Sequence, residues 1–203
     1  DLLRDAGIES PPTHWDEWRR AMAGIKARAR PDKYAILLPL NEFEQLLTFG
    51  LQQEEPLLRD NGSRGNFSSP GFKSALAFYK SLFDERLAPV ATASQISNIW
   101  NEFARGFFSV FISGPWTIGD MKSRLSPDMQ GHWATAPNPG PGGTGSAAPG
   151  GSSLVVFAGS DHGNAAWDLV ARLMARAPRL KFQPLTRQLL ARRGGGGRGG
   201  AAG

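Results

Sequence analysis

Three short runs of unbroken apolar residues, set between amphipathic helical stripes, constrain this chain most. The runs are Tyr34-Ala-Ile-Leu-Leu-Pro39, Phe107-Phe-Ser-Val-Phe-Ile-Ser113 and Ser153-Leu-Val-Val-Phe-Ala158. They are too brief for helices, and strands buried on both faces have this pattern. Thr13-His14-Trp15-Asp16 fits a capping box and opens a helix over 14–29, with Trp18, Met22 and Ile25 on one side. Asn41 is placed to cap a second helix whose stripe is Phe43, Leu46, Leu47 and Leu51. Ser69 and Pro70 open a third, carrying Phe72, Leu76, Tyr79 and Phe83 and ending near Leu87-Ala-Pro89. Shorter helical stretches are expected over 99–105 and 116–125. Asp161 caps a last one, with Ala165, Leu169 and Leu173 flanked by Trp167, Val170 and Met174. Strands alternating with helices predict an α/β layered fold. Three strands make a thin sheet for 203 residues, and the opening DLLRDAGI reads as the interior of a longer chain. The Gly/Pro-rich stretch 137–151 is expected to be a loop or linker.

Composition removes several function classes. Cysteine is absent, and the three histidines, His14, His132 and His162, are scattered, so thiol chemistry is excluded and a zinc site or Ser-His-Asp triad has little to work with. No apolar run approaches the roughly 18 residues that span a bilayer. The chain holds 23 basic and 18 acidic residues. Eight of the basic ones lie in 169–203, which has no acidic residue, so residues 1–168 carry a net charge of −3. The basic character belongs to the end of the chain, and a basic nucleic-acid surface is not described. The Gly/Arg tail lacks interleaved aromatics for base stacking, which argues against nucleic acid as a partner.

Four segments in register resemble the solute-binding proteins of carbohydrate ABC transporters, the maltose-binding-protein-like class. Asp1-Leu-Leu-Arg-Asp-Ala-Gly7 through Pro12-Thr-His-Trp-Asp-Glu-Trp18 is similar to the entry into that family's second lobe. Phe67-Ser-Ser-Pro70 through Ala75-Leu-Ala-Phe-Tyr79 to Leu87-Ala-Pro89 is similar to its next helix and turn. Phe103-Ala-Arg-Gly106 through Phe111-Ile-Ser-Gly-Pro-Trp116 resembles its "GPW" element, and Gly150-Gly-Ser-Ser153 with Ala165-Ala-Trp167 resembles the return strand and helix. The resemblance implies a type II periplasmic-binding-protein-like α/β fold. Residues 1–145 would be the second lobe, 146–183 the crossover and return into a first lobe, and 184–203 a disordered Gly/Arg tail. It also implies a periplasmic or extracellular location, any signal or lipid anchor lying upstream of residue 1. The partners it implies are a carbohydrate and the permease subunits, with the whole protein a monomer that needs no cofactor or metal. At the end, Leu185-Thr-Arg-Gln-Leu-Leu-Ala-Arg-Arg193 departs from the family's pattern at Arg187, Gln188 and Leu190.

A sugar offers an apolar C–H face and a rim of hydroxyls, so its receptor needs aromatic plates and planar polar groups in a cleft. Parallel sheets place ligands at the carboxyl ends of their strands. Trp116 follows the Gly114-Pro115 break at such an end, and the resemblance gives it a stacking role; packing in a core or hinge is the alternative. Asn41 and Glu42 follow the first strand, where a plain cap would also explain Asn41. Trp100, Asn101 and Glu102 offer a plate, an amide and a carboxylate, or else an amphipathic turn with the indole buried. Gly151 and Ser152, with Gly150, can bring backbone N–H groups near a hydroxyl or serve as a flexible crossover. Trp15, Trp18 and Trp167 fall on helix stripes and are expected in the core, and Trp133 between the lobes or near the cleft. The competing enzyme reading is a glycosidase using Glu42 and Glu102, which needs a fixed carboxyl separation that nothing in the sequence sets.

Overall fold

The computed structural model describes residues 2–96, 98–145 and 154–174. Gly150, Gly151, Ser152 and the stretch 184–203 therefore lie outside the described residues. The chain divides into two compact units, one of Asp1–Gly114 with Met121–Gly150, the other of Pro115–Asp120 with Gly151–Gly203.

The first unit is a parallel strand pair wrapped by helices. A short helix α1 (Leu2–Asp5) is followed by α2 (Trp15–Arg28). The expected cap sits one residue later in the chain: the Glu17 carboxylate, not Asp16, accepts the backbone N–H groups of Thr13 (3.2 Å) and His14 (3.4 Å). Trp15, Trp18, Met22 and Ile25 lie on one face at helical spacing and are buried. The helix ends before Pro31, where the Lys26 ammonium donates to the carbonyls of Pro31 and Lys33 and lies over the Tyr34 ring. Strand β1 (Tyr34–Leu37) leads into Leu38 and Pro39; residues 35–39 are all buried, as the unbroken apolar run predicts.

The next helix departs from the sequence pattern. It is α3 (Glu44–Leu51), with Phe43 as its cap residue. Asn41 does not cap it, and its Oδ1 instead accepts the N–H of Ala93 at 2.7 Å. The predicted stripe is rotated: Gln45, Thr48, Phe49 and Gly50 are buried, while Phe43 and Leu51 are exposed. A side chain at Gly50 would press against Leu57 and Phe72, at 2.9 and 3.0 Å from a Cβ, so the helix turns this residue toward its neighbour and the rest of the stripe follows. A hairpin, β2 (Leu58–Arg59) with β3 (Arg64–Gly65), connects to α4 (Pro70–Asp84). Ser69 caps α4 as expected, its Oγ accepting the N–H of Phe72 at 3.2 Å. The helix stops at Asp84 because Arg86 adopts φ 55°, with the Leu87 N–H returning to the Leu82 carbonyl. The predicted face of α4 is largely the inward one: Phe72 is buried with Ala75 and Leu82, and Tyr79 and Phe83 pack partly buried against the core, while Leu76 is exposed.

After α5 (Ile99–Ala104), strand β4 (Phe108–Phe111) pairs parallel to β1 in the register Tyr34↔Phe108, Ile36↔Val110 and Leu37↔Phe111. The other edge of β1 is satisfied by a segment that is no strand: Leu87 accepts the N–H groups of Ala35 and Ile36, and Ala91 that of Leu40. Aromatic rings fill the core. Trp15 stacks on Phe78 at 4.5 Å, and Phe49 meets Trp15, Trp18, Phe78 and Tyr79 at 5.3–6.4 Å. The stretch expected as a linker contains a tight hairpin, β5 (Pro139–Gly140) with β6 (Gly143–Thr144), bound to the entry of α2 through Gly140 N–H to Thr13 carbonyl.

Helix α6 (Trp116–Arg124) begins in the second unit and ends in the first, where the Gln130 amide donates to the carbonyls of Met121 and Leu125 at its end. The second unit holds α7 (Gly163–Met174). The strand predicted over 153–158 is not present among the described residues 154–157, where no partner strand supplies its backbone bonds. Nor does Asp161 cap α7; the preceding turn is closed by Ser160 Oγ, which accepts the His162 N–H. No residue of α7 is buried, and Trp167, expected in the core, is 61% exposed.

Candidate functional site

Parallel pairing of β1 with β4 brings two carboxyl ends side by side, and the peptide groups beyond them have no further ladder partners. Open α/β sheets bind their ligands beyond such strand ends. Beyond β1 the chain is held in place residue by residue. Leu40 donates to Ala91, Asn41 accepts from Ala93, and the Glu42 N–H closes a turn on the Pro39 carbonyl at 3.1 Å. The Glu42 carboxylate accepts the side-chain N–H of Gln45 at 2.9 Å. Phe43 follows with two-thirds of its surface, 66%, in solvent. An amide, a carboxylate and an exposed ring thus occupy three consecutive positions on a pinned loop. The sequence pattern assigned Phe43 to the buried stripe; its place beside Asn41-Glu42 at a strand end was the signal for a surface role.

Trp100 opens the second turn-forming element at this edge. Asn98 caps α5, its Oδ1 accepting the N–H groups of Trp100 and Asn101 at 3.1 and 3.2 Å. The half-buried Trp100 ring meets Phe111, the last residue of β4, edge-on at 6.5 Å, and the Arg124 guanidinium lies 5.7 Å from its centroid. One face of this plate is thereby covered by a cation. Asn101 is exposed. Glu102 is engaged elsewhere: its carboxylate pairs with Arg105 through two nitrogens, at 2.7 and 2.9 Å. Trp116, half-buried, is the first residue of α6 in the second unit. Gly151 and Ser152 lie outside the described residues. Trp133 is partly buried, with its indole nitrogen enclosed and without an acceptor among the described residues.

Tyr79 of α4 senses this loop. Its phenol is raised above the usual tyrosine range, first by burial and then by the negative charge of Glu42. A separate cavity of about 300 Å³ lies at the opposite end of α3, between Leu51, Gln52 and the hairpin residues 141–145. Its lining residues include no aromatic ring. Among the described residues no cluster of acidic and histidine side chains could hold a metal ion, and no helix is long and apolar enough to cross a membrane.

Comparison with known proteins places these features in context. Residues 1–181 match the model of a family described as bacterial extracellular solute-binding protein. Binding proteins of Brucella abortus and Brucella suis are 28% identical over 190 residues, covering 90% of this chain and 44% of theirs. The sugar-binding protein MalE of Xanthomonas citri is 46% identical and superposes with a TM-score of 0.83, covering 95% of this chain and 49% of that one. The GacH receptor of Streptomyces glaucescens, solved unliganded and with acarbose, superposes with a TM-score of 0.74 at 22% identity, covering 94% of this chain and 48% of that one, a likeness of fold. The chain spans about half the length of the relatives it matches.

Proposed function

Because the chain belongs to the bacterial extracellular solute-binding proteins and has their type II periplasmic-binding α/β fold, we propose that it forms one wall of a carbohydrate-binding cleft. The observation that carries this reading is the pinned loop beyond β1, which presents Asn41, Glu42 and the exposed Phe43 at a parallel-strand carboxyl end. Planar polar groups accept and donate to hydroxyls, and an exposed ring covers the C–H face of a pyranose. Trp116 supplies a second plate, and Trp100, against Phe111 at the end of β4, and the exposed Asn101 add a further ring and amide. Gly151 and Ser152 contribute backbone donors. Glu102 sets the orientation of Arg105 by their ion pair.

A wall of this kind holds its ligand firmly only when a second wall excludes water. The relatives are about twice as long, and we assign residues 1–145 to the second lobe of such a protein. Residues 146–183 cross back toward the first lobe, whose surface would cover Leu154, Val155, Phe157 and Trp167, all exposed here. In that whole protein, closure on an oligosaccharide precedes delivery to permease subunits in the membrane, and the protein acts as a monomer. We read it as a binding protein rather than a glycosidase, since the family it belongs to is one of binding proteins.

The test is a tryptophan-fluorescence titration of the chain with a panel of saccharides, on the parent and on Trp116→Ala. Binding in the millimolar range that is lost in the variant, at unchanged melting temperature, is expected. No response to any saccharide, or equal binding by the variant, would overturn the respective claim of ligand class or stacking residue.

A further inference from the structure

Gln45 stands out among the buried residues. It is 8% exposed, on the inward face of α3, where a leucine or methionine would pack without polar groups to satisfy. Its amide nitrogen donates to Glu42 Oε2 at 2.9 Å, and only the nitrogen can face a carboxylate, which fixes the amide's orientation. The amide oxygen then points away, enclosed and with no donor among the described residues. The geometry of the helix explains the contact. Gln45 is the second residue of α3, side chains lean toward a helix N-terminus, and Glu42 lies three residues back on the loop.

The loop around Glu42 has its own backbone anchors at Leu40, Asn41 and Glu42, so the Gln45 bond is not needed to hold the main chain. What it fixes is the carboxylate. A free glutamate side chain samples many rotamers, and ordering them on binding costs affinity. A carboxylate already held by one oxygen keeps the other available in a set direction. We infer that Gln45 is a positioning residue that holds the Glu42 carboxylate at the carboxyl end of β1, ready to accept the hydroxyls of a saccharide. This rests on the proposed carbohydrate reading of the same edge. Tyr79, across from Glu42 on α4, reports the carboxylate's position through the field it feels.

The chain has two tyrosines, Tyr34 and Tyr79, so their ionisation can be followed by ultraviolet difference absorbance. The experiment compares the parent chain with Gln45→Met, of similar length without the amide, and Gln45→Asn, which keeps the amide but falls short of Glu42. Glu42→Gln serves as the reference for loss of the charge. In the absence of sugar, both Gln45 variants should bring the Tyr79 titration down toward that of Glu42→Gln. With maltose as the first saccharide probe, followed by amide chemical shifts, both should bind about tenfold more weakly than the parent, the usual effect of losing a charge-assisted bond. If one variant does not fold, the other decides. An unchanged Tyr79 titration, or saccharide binding equal to the parent, overturns the role of Gln45. A parent chain that binds neither maltose nor the rest of the panel overturns the carbohydrate reading instead.

Discussion

Replacing Phe49 and Phe43 by alanine, one at a time, separates the observed face of α3 from the one its sequence suggests. Phe49 is 1% exposed and touches four aromatic rings, Trp15, Trp18, Phe78 and Tyr79. Truncating a buried phenylalanine costs about 3–5 kcal/mol through lost transfer energy and the cavity left behind. Four edge-on or tilted ring contacts, each worth about 0.5–1.5 kcal/mol beyond burial, place this site in the upper part of that range, at about 4–5 kcal/mol. That is a large share of the roughly 5–15 kcal/mol that holds a domain together. Phe43, two-thirds in solvent, should cost no more than about 0.5 kcal/mol. Urea unfolding followed by tryptophan fluorescence reads the difference, because Trp15 and Trp18 both lie against Phe49. The midpoint should fall steeply for Phe49→Ala and stay in place for Phe43→Ala, with similar slopes. A larger loss at Phe43, or a loss below about 2 kcal/mol at Phe49, would refute the assigned helix phase.

Two further perturbations test the helix ends. The Glu17 carboxyl is held below its usual range by the Thr13 and His14 backbone N–H groups, so its stabilising effect is present at neutral pH and lost as pH falls through the lowered value; Glu17→Gln should flatten that acid limb in a pH series of melting temperatures. Arg86 has φ 55° at the end of α4, where Arg86→Gly should raise stability by about 0.5–1 kcal/mol in the same urea assay, the gain from relieving a left-handed conformation.

The sequence reveals the layers better than the faces. Unbroken apolar runs located β1 and β4 because a strand covered on both sides needs nothing else. The tryptophans of α2 were legible for the same reason, since Trp15, Trp18, Met22 and Ile25 allow a single helical phase. On α3 the pattern Glu-Gln-Leu-Leu-Thr-Phe-Gly-Leu supports two phases, and the one with more apolar residues is wrong. Close packing at Gly50 and the aromatic cluster around Phe49 decide it, and both depend on residues far along the chain. The same rotation buries Gln45 and frees Phe43, so the misread helix is the one that shapes the proposed site. Strand 153–158 and the core place of Trp167 failed differently: the apolar pattern is real, but nothing among the described residues covers it.

The central claim is that the joined carboxyl ends of β1 and β4 bind a carbohydrate. Amide chemical-shift mapping of the chain against a maltodextrin tests it most directly. Saturable shifts are expected at Leu40–Phe43, the turn after Phe111, α5 and Trp116, with the hairpin at 139–144 unmoved. Shifts gathered instead around Gln52 and that hairpin, or none at saturating sugar, would contradict it.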